Sequence, residues 1–316
     1  YSPPLGLPAL RQHIQKRLRL IDIHVDPEQI LTTTGASHAL DLLVRTLLKP
    51  GDVVVVENPG YYNLFNLLKF HGVKMLGVPR TRHGPDTAAL ETILRAHKPK
   101  FLFTNSMYHN PTGTSLSPSV AHRVLQLAEQ HDFHIVEDDI YADFQNGPST
   151  RLATLDSLRR VIYLASFSKT LSCSLRVGYL IADPELIRRL ADVKMYTSIG
   201  SQRFAECVVS TMLANGSYRK LVQRLRQRLT RQMAATLRVL GDNGWEVFAE
   251  PVGGMFVWAR IGDYPFAELQ AVATRLNVLL SPGSGFSPEG EESDWLRINI
   301  AYASDPRALA FFEAFG

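Results

Sequence analysis

Lys169 and Arg176 lie in SFSKTLSCSLRVGY, residues 166–179, directly after the apolar run VIYL. The segment is either an ordinary polar connection between strands or a place where two cations meet something anionic. A lysine amine can act as a nucleophile, and a guanidinium offers a planar fork to a carboxylate or phosphate. Three other apolar runs end on residues of comparable use. QILTTT (29–34) passes into Gly35-Ala36-Ser37, which opens a helical pattern. KFLFTN (100–105) leads into SMYHNPTG (106–113), which carries Asn110. FHIVED (133–138) ends on Asp138, with Tyr141 three residues on. If these runs are strands of one parallel sheet, all four sets sit at its carboxyl edge, where such sheets bind ligands.

A lysine, a carboxylate with a phenol, and a helix start with a cation are together what pyridoxal phosphate (PLP) requires. Its aldehyde takes a lysine amine as a Schiff base, and its ring nitrogen stays protonated beside a carboxylate, which makes the ring an electron sink. Its phosphate needs helix N-terminal N–H groups and a cation. Lys169, Asp138 and the Gly35–Ser37 turn with Arg176 fit those needs. Cys173 and Cys207 are the only cysteines, so there is neither a disulfide framework nor a metal-spaced cluster, and no metal is expected.

The elements that must position these groups alternate along the first two thirds of the chain. To the runs above are added DVVVVE (52–57), KMLGVP (74–79), VIYLAS (161–166) and VGYLIA (177–182), making seven strands. Helical spacing of apolar residues marks 37–48 and 119–132. Strands separated by helices imply a largely parallel sheet covered on both faces, a three-layer α/β arrangement. The short link before VGYLIA frees that strand from running parallel. A long helix over 219–240, with Leu221, Leu225, Leu229 and Met233 in a stripe, begins a second unit, in which EVFAE, GMFVWARI, NVLLS and WLRINIAY read as strands. The expected division is 1–225, a large domain, and 226–316, a small α+β domain.

With 316 residues, 45% of them hydrophobic, the chain can bury a substantial core. The formal net charge of +4 permits acidic small-molecule substrates and does not by itself imply nucleic acid. Arginines 219, 224, 226, 228 and 231 mostly avoid the leucine stripe and read as a solvated helix face. No apolar run reaches the length of a membrane span, and no signal-peptide pattern opens the chain, so a reducing, cytoplasmic setting is expected. A start at Tyr1 rather than at methionine reads as a piece of a longer polypeptide.

The motifs resemble those of fold type I PLP enzymes, the aspartate aminotransferase superfamily. SFSKTLSCSLRVGY is similar to the family's S-x-[ST]-K…R-x-G segment, HNPTG to its N-P-T-G turn, and EDDIY to its D-x-x-Y element. The resemblance runs through essentially the whole chain in the right order. YSPPLGLPALR, ILTTTGASHALDLL, VENPGYY and IVEDDIYADF look most like the aminotransferase-like domain of MocR-type regulators of the GntR family, which follows a winged helix–turn–helix.

That resemblance implies roles. Lys169 would bond the cofactor and move the substrate α-proton. Asp138 would pair with the pyridinium, with Asp139 the competitor that the spacing to Tyr141 disfavours. Tyr141 and Asn110 would hydrogen-bond the ring's phenolic oxygen. Ala36, Ser37, Ser166, Ser168 and Arg176 would hold the phosphate, and Tyr61, rather than its neighbour Tyr62, would stack on the ring. Arg297 in WLRINIAY would grip the substrate α-carboxylate beside Asn110. Tyr1 would reach the phosphate of a neighbouring subunit, making a homodimer with a shared site. Cys173-Ser174 stand where relatives often have Pro-Gly, which alters loop stiffness more than chemistry. No second arginine marks a dicarboxylic substrate. The expected activity is amino transfer between an amino acid and a 2-oxo acid. The alternative is a PLP- or amine-sensing regulator domain, whose DNA contacts would come through an upstream domain and not this chain. A non-transaminating PLP enzyme such as a lyase is a third reading.

Overall fold

A computed structural model describes every residue except Tyr1, Asn146, Pro148 and Asp263. The large sheet contains β1 (Ile30–Thr33), β2 (Val53–Asn58), β3 (Lys74–Thr81), β4 (Gly84–Pro85), β5 (Phe101–Thr104), β6 (His134–Asp138), β7 (Val161–Ser166) and β8 (Gly178–Ile181). Its order is β1-β8-β7-β6-β5-β2-β3-β4. Strands β7, β6, β5, β2 and β3 pair in parallel, while β8 is antiparallel to both its neighbours. The sheet therefore has eight strands where seven were expected. The extra one, β4, is a two-residue return against Arg80–Thr81, too short to show a periodic signal.

Eight helices precede the long one: α1 (Pro8–Leu18), α2 (Gly35–Leu47), α3 (Tyr62–Phe70), α4 (Thr87–Ala96), α5 (Pro118–His131), α6 (Leu152–Asp156), α7 (Pro184–Ser198) and α8 (Arg203–Ala214). Side chains alternate across a strand, so each buried strand feeds two cores. Ile30, Val55 and Ile135 join the apolar residues of α1, α4, α5, α6 and α8. Their neighbours Leu31, Val54, Val56 and Val136 join those of α2, α3 and α7. The result is three layers. Start signals are local: Ser117 accepts the Val120 amide at 3.3 Å ahead of Pro118, and Asp183 accepts two amides ahead of Pro184.

Helix α9 (Ser217–Asp242) is continuous over 26 residues. Tyr218 and Val222 belong to the core of the large sheet, whereas Met233 and Leu240 belong to the C-terminal core. Its buried stripe thus starts from Tyr218 and Val222 rather than from Leu221. The C-terminal core also takes residues of α10 (Phe266–Arg275) and α11 (Pro306–Glu313), and of the antiparallel strands β9 (Glu246–Val247), β10 (Phe256–Arg260) and β11 (Leu296–Asn299). NVLLS, expected as a strand, is not one. Pro282 has no N–H to give a ladder, and pairing stops at one Pro282–Leu296 bridge. The loop before β11 reaches back to the large sheet: Gly60 N–H donates to the Phe286 carbonyl at 2.8 Å and Lys69 Nζ to the Pro288 carbonyl at 2.8 Å.

The close approach of β8 to the start of α2 gives a test. A Cβ on Gly178 would come 2.9 Å from Gly35 Cα and 3.0 Å from the Ala36 nitrogen, both backbone atoms. Gly178→Ala is expected to destabilise the fold by roughly 1–3 kcal/mol, read from the urea midpoint. An unchanged midpoint would show that the helix start shifts without cost.

Candidate active site

The anion end of the site is built where β7, β8 and α2 converge. Ser166 Oγ donates to the Val177 carbonyl (3.1 Å) and accepts from the Ser168 amide (3.1 Å), and it lies 3.0 Å from Ser168 Oγ. Arg176, at φ 50°, turns its guanidinium toward the same place. Its two hydrogen bonds are long, Nη1 to Ser168 Oγ at 3.5 Å and Nη2 to the Thr34 carbonyl at 3.4 Å, which leaves its donors poorly satisfied. Gly35 sits at φ +76°, and a Cβ there would come 2.5 Å from Arg176 Nη2. Only glycine lets the guanidinium lie on the helix start. Thr34 provides no side-chain cap, so Ala36 and Ser37 present first-turn amides that the helix itself cannot satisfy.

The carboxylate end lies at the tips of β6 and β5. Asp138 accepts one hydrogen bond, from the Ile140 amide at 3.1 Å. Burial pushes its carboxyl up to about 7, and the like charge of Asp139 adds to this, while Lys169 opposes it. Asp139 is occupied elsewhere, paired with Arg151 and accepting the Tyr163 hydroxyl at 2.9 Å. Asp138, not Asp139, lines the cavity, together with Tyr61, Asn105, Asn110, Ile140 and Tyr141. Burial also raises the Tyr141 phenol well above its ordinary range, so it stays protonated. Tyr61 is on the cavity wall, whereas Tyr62 is 38% exposed and leans edge-on against Phe286.

Lys169 stands between the two ends. Burial lowers its pKa first, Arg297 lowers it further, and Asp138 pulls the other way. Arg297 donates from Nη1 to Asn110 Oδ1 at 2.9 Å and lies over the rings of Phe256 (4.4 Å) and Phe286 (4.9 Å). Among the described residues its buried Nε has no hydrogen-bond partner. An arginine with unused donors beside a lysine of lowered pKa is arranged to receive a carboxylate. Tyr1 lies outside the described residues. Among those residues, no cluster of His, Cys, Asp or Glu could hold a metal ion.

Sequence reasoning missed four contributors. Asn105 donates from Nδ2 to the Asp138 carbonyl and accepts the Asn110 amide at 3.0 Å, so one side chain ties two loops together. Its place at a strand end, like that of Asp138, was the available signal. Phe286 and Phe256 frame Arg297 through long-range packing that leaves no local pattern. Below them Glu57, buried between Arg80 and His109, accepts the Asn105 amide at 3.0 Å. Burial alone would raise Glu57, but those two partners prevail and hold it at about 2.

Comparison with known proteins agrees with this architecture. The family model for aminotransferase class I and II matches residues 1–314. The chain is 35% identical over 311 residues to a 2-aminoadipate transaminase of Thermus thermophilus, covering 95% of this chain and 76% of that protein. It is 30% identical over 312 residues to an uncharacterized helix–turn–helix transcriptional regulator of Bacillus subtilis, YisV, covering 96% of this chain and 63% of the regulator's length. Among solved structures, LysN, the α-aminoadipate aminotransferase of Thermus thermophilus in complex with N-(5'-phosphopyridoxyl)-L-leucine, superposes with a TM-score of 0.90 at 30% identity, over 99% of this chain and 83% of that one. The kynurenine aminotransferase of Pyrococcus horikoshii gives a TM-score of 0.91 at 27% identity, over 99% and 80% of the two chains. The fold is that of the type I aminotransferases, and the chain belongs to the aminotransferase class I and II family.

Proposed function

We propose that this domain transfers an α-amino group between an amino acid and a 2-oxo acid with the help of pyridoxal phosphate. The observation that carries the reading is the pairing of two unmet electrostatic needs across one lysine. Arg176 and the α2 amides want an anion, and the half-buried Asp138 carboxyl has, among the described residues, no side-chain hydrogen bond or ion pair. A molecule with a phosphate at one end and a protonatable ring nitrogen at the other meets both. When bound, the cofactor supplies an aldehyde for the amine and an electron-withdrawing ring.

The chain's own residues do the rest. Ala36, Ser37, Ser166, Ser168 and Arg176 hold the phosphate, and Asp138 holds the proton on the ring nitrogen. Tyr61 covers the ring, while Tyr141 and Asn110 meet its phenolic oxygen. Arg297 orients the amino acid by its α-carboxylate. Lys169, its pKa lowered by burial and by Arg297, takes the α-proton and returns it. Residues 1–225 would form the cofactor-binding domain and 226–316 the smaller one. Met195, Tyr196, Ile199 and Phe204 expose 43, 87, 60 and 79% of their surface close to Gly200, which itself packs near the Ser2 carbonyl. These exposed apolar side chains, near Gly200 in the sequence, support a homodimer in which Tyr1 would reach the partner's phosphate. Free thiols at Cys173 and Cys207 suit a cytoplasmic setting.

A second reading is a sensor for an amine or PLP in a transcriptional regulator. It is supported by relatives of that kind, of whose length this chain spans 63–64%. DNA would then be contacted through another domain. Mixing the PLP-loaded protein with a panel of amino acids separates the two: conversion to pyridoxamine phosphate with turnover is expected, and a stalled spectral change favours the sensor.

Three further outcomes are expected. Lys169→Ala abolishes the visible band of lysine-bound PLP, and retention of that band removes the lysine from its role. Arg297→Ala weakens amino-acid binding by roughly 10–100-fold and spares PLP, followed by spectral titration; equal loss of both refutes the assignment. Asp138 gives a pH test. Its folded pKa, about 7, lies above the unfolded value, so the folded state keeps a proton that the unfolded chain has released. Its contribution therefore falls as pH rises from about 4 to 7. In cofactor-free protein, Asp138→Asn should raise stability by roughly 1–3 kcal/mol at pH 8 and by nothing below pH 4, while weakening PLP binding. Parallel pH-independent melting curves would contradict this.

A further inference from the structure

We propose that Tyr218 is a positioning residue for Lys169, joining the turn that carries the lysine to the turn that follows Asp138 and Tyr141. The proposal rests on the reading of Lys169 as the cofactor-bearing lysine. Thr170, the next residue after Lys169, is buried, and its Oγ1 lies 2.6 Å from the Tyr218 hydroxyl. Tyr218 donates its own proton to the Asp143 carboxylate, so Thr170 must be the donor in that contact. Asp143 is two residues beyond Tyr141, in the short helix Ala142–Phe144. Its other carboxylate oxygen is paired with Arg17, and its carbonyl accepts Arg226 Nε at 2.6 Å.

The arrangement has a direction and an anchor. Arg17 holds the Asp143 carboxylate by an ion pair, and its guanidinium lies 4.7 Å from the centre of the Tyr218 ring. The same ring meets Phe167, which precedes Ser168 and Lys169, edge-on at 5.4 Å. Burial raises the phenol well above its ordinary range, with Asp143 adding to the rise, so Tyr218 remains a proton donor. One hydroxyl thus bridges the two strand ends that bring the amine and the carboxylate face to face. The Tyr218 hydroxyl acts through Thr170 and Asp143, and its ring through Phe167. Since it opens α9, the lysine turn is also tied to the helix that enters the C-terminal core.

Tyr218→Phe keeps the ring packing and removes the hydroxyl. Thr170→Val removes the other half of the contact and leaves Tyr218 on Asp143. The PLP-loaded variants are followed by pH titration of the visible band, by kcat and KM with an amino acid, and by urea midpoint. The groups that face Lys169, namely Asp138, Arg297, Arg176 and Cys173, are unchanged in both. Both variants are expected to move the midpoint of the band titration and lower kcat roughly 10-fold, with KM within about 2-fold. The double variant should lose less than the two single losses combined, because both changes remove the shared Thr170–Tyr218 contact. If Tyr218→Phe does not fold, Thr170→Val alone decides. A normal band titration and kcat in the variants overturn the proposal, as does a change confined to KM. A wild-type protein with no visible band overturns the cofactor reading itself, a distinct result.

Discussion

Asp138 and Asp139 are neighbours at the end of one buried strand, yet they live in opposite surroundings. Strand alternation sends them to opposite faces, and only one of the faces offers a counter-charge. Asp139 enters a pocket with Arg151 and Tyr163, where its charge is compensated. Asp138 continues the side of Val136 and meets a cavity with one backbone amide. Two adjacent carboxylates in low dielectric repel, so compensating one is what lets the other be kept unpaired. The rest of the site is organised around that unpaired carboxyl: a lysine close enough to feel it, a phenol that burial keeps neutral, and a cationic cradle at the far end.

The cradle depends on a topological detail. Strand β8 runs antiparallel between β1 and β7, and this insertion brings Gly178 against Gly35. Two glycines then allow a backbone approach that any side chain would block. Arg176 lies in the same link, so the chain returns to the sheet and delivers its cation in one movement. Short connections of this kind cannot drift, which suits a site whose groups come from four strand ends.

Much of this was legible in the sequence because it is carried by short periodic runs. β-Branched strands and the polar residues directly after them located one sheet edge, and the motif order identified the fold. What was not legible depended on phase or on distance. The spacing to Tyr141 favoured Asp138 over Asp139, but the partners that occupy Asp139, Arg151 and Tyr163, lie farther along the chain and left no local mark. Tyr61 and Tyr62 differ by the rotation of one helix start. NVLLS has strand-like composition but lacks a ladder partner beyond one bridge. Asn105, Phe256 and Phe286 act through partners far along the chain, and Gly84–Pro85 is shorter than any period. The buried stripe of α9 lies slightly off the leucine spacing, because Tyr218, a polar-tipped aromatic, does part of the burying.

The continuity of α9 has a mechanical side. At 1.5 Å per residue, the stretch from Tyr218 to Leu240 is a rod about 33 Å long. A tilt of about 5° at its pinned end would carry the far end through roughly 3 Å. The lysine turn is bonded to the pinned end, whereas Arg297 is on a strand packed in the core at the far end. A tilt of that size would have to carry Arg297 away from Asn110 and Phe286 away from Gly60, so those contacts hold the rod against it. The helix thus couples the turn beside Lys169 to the setting of Arg297.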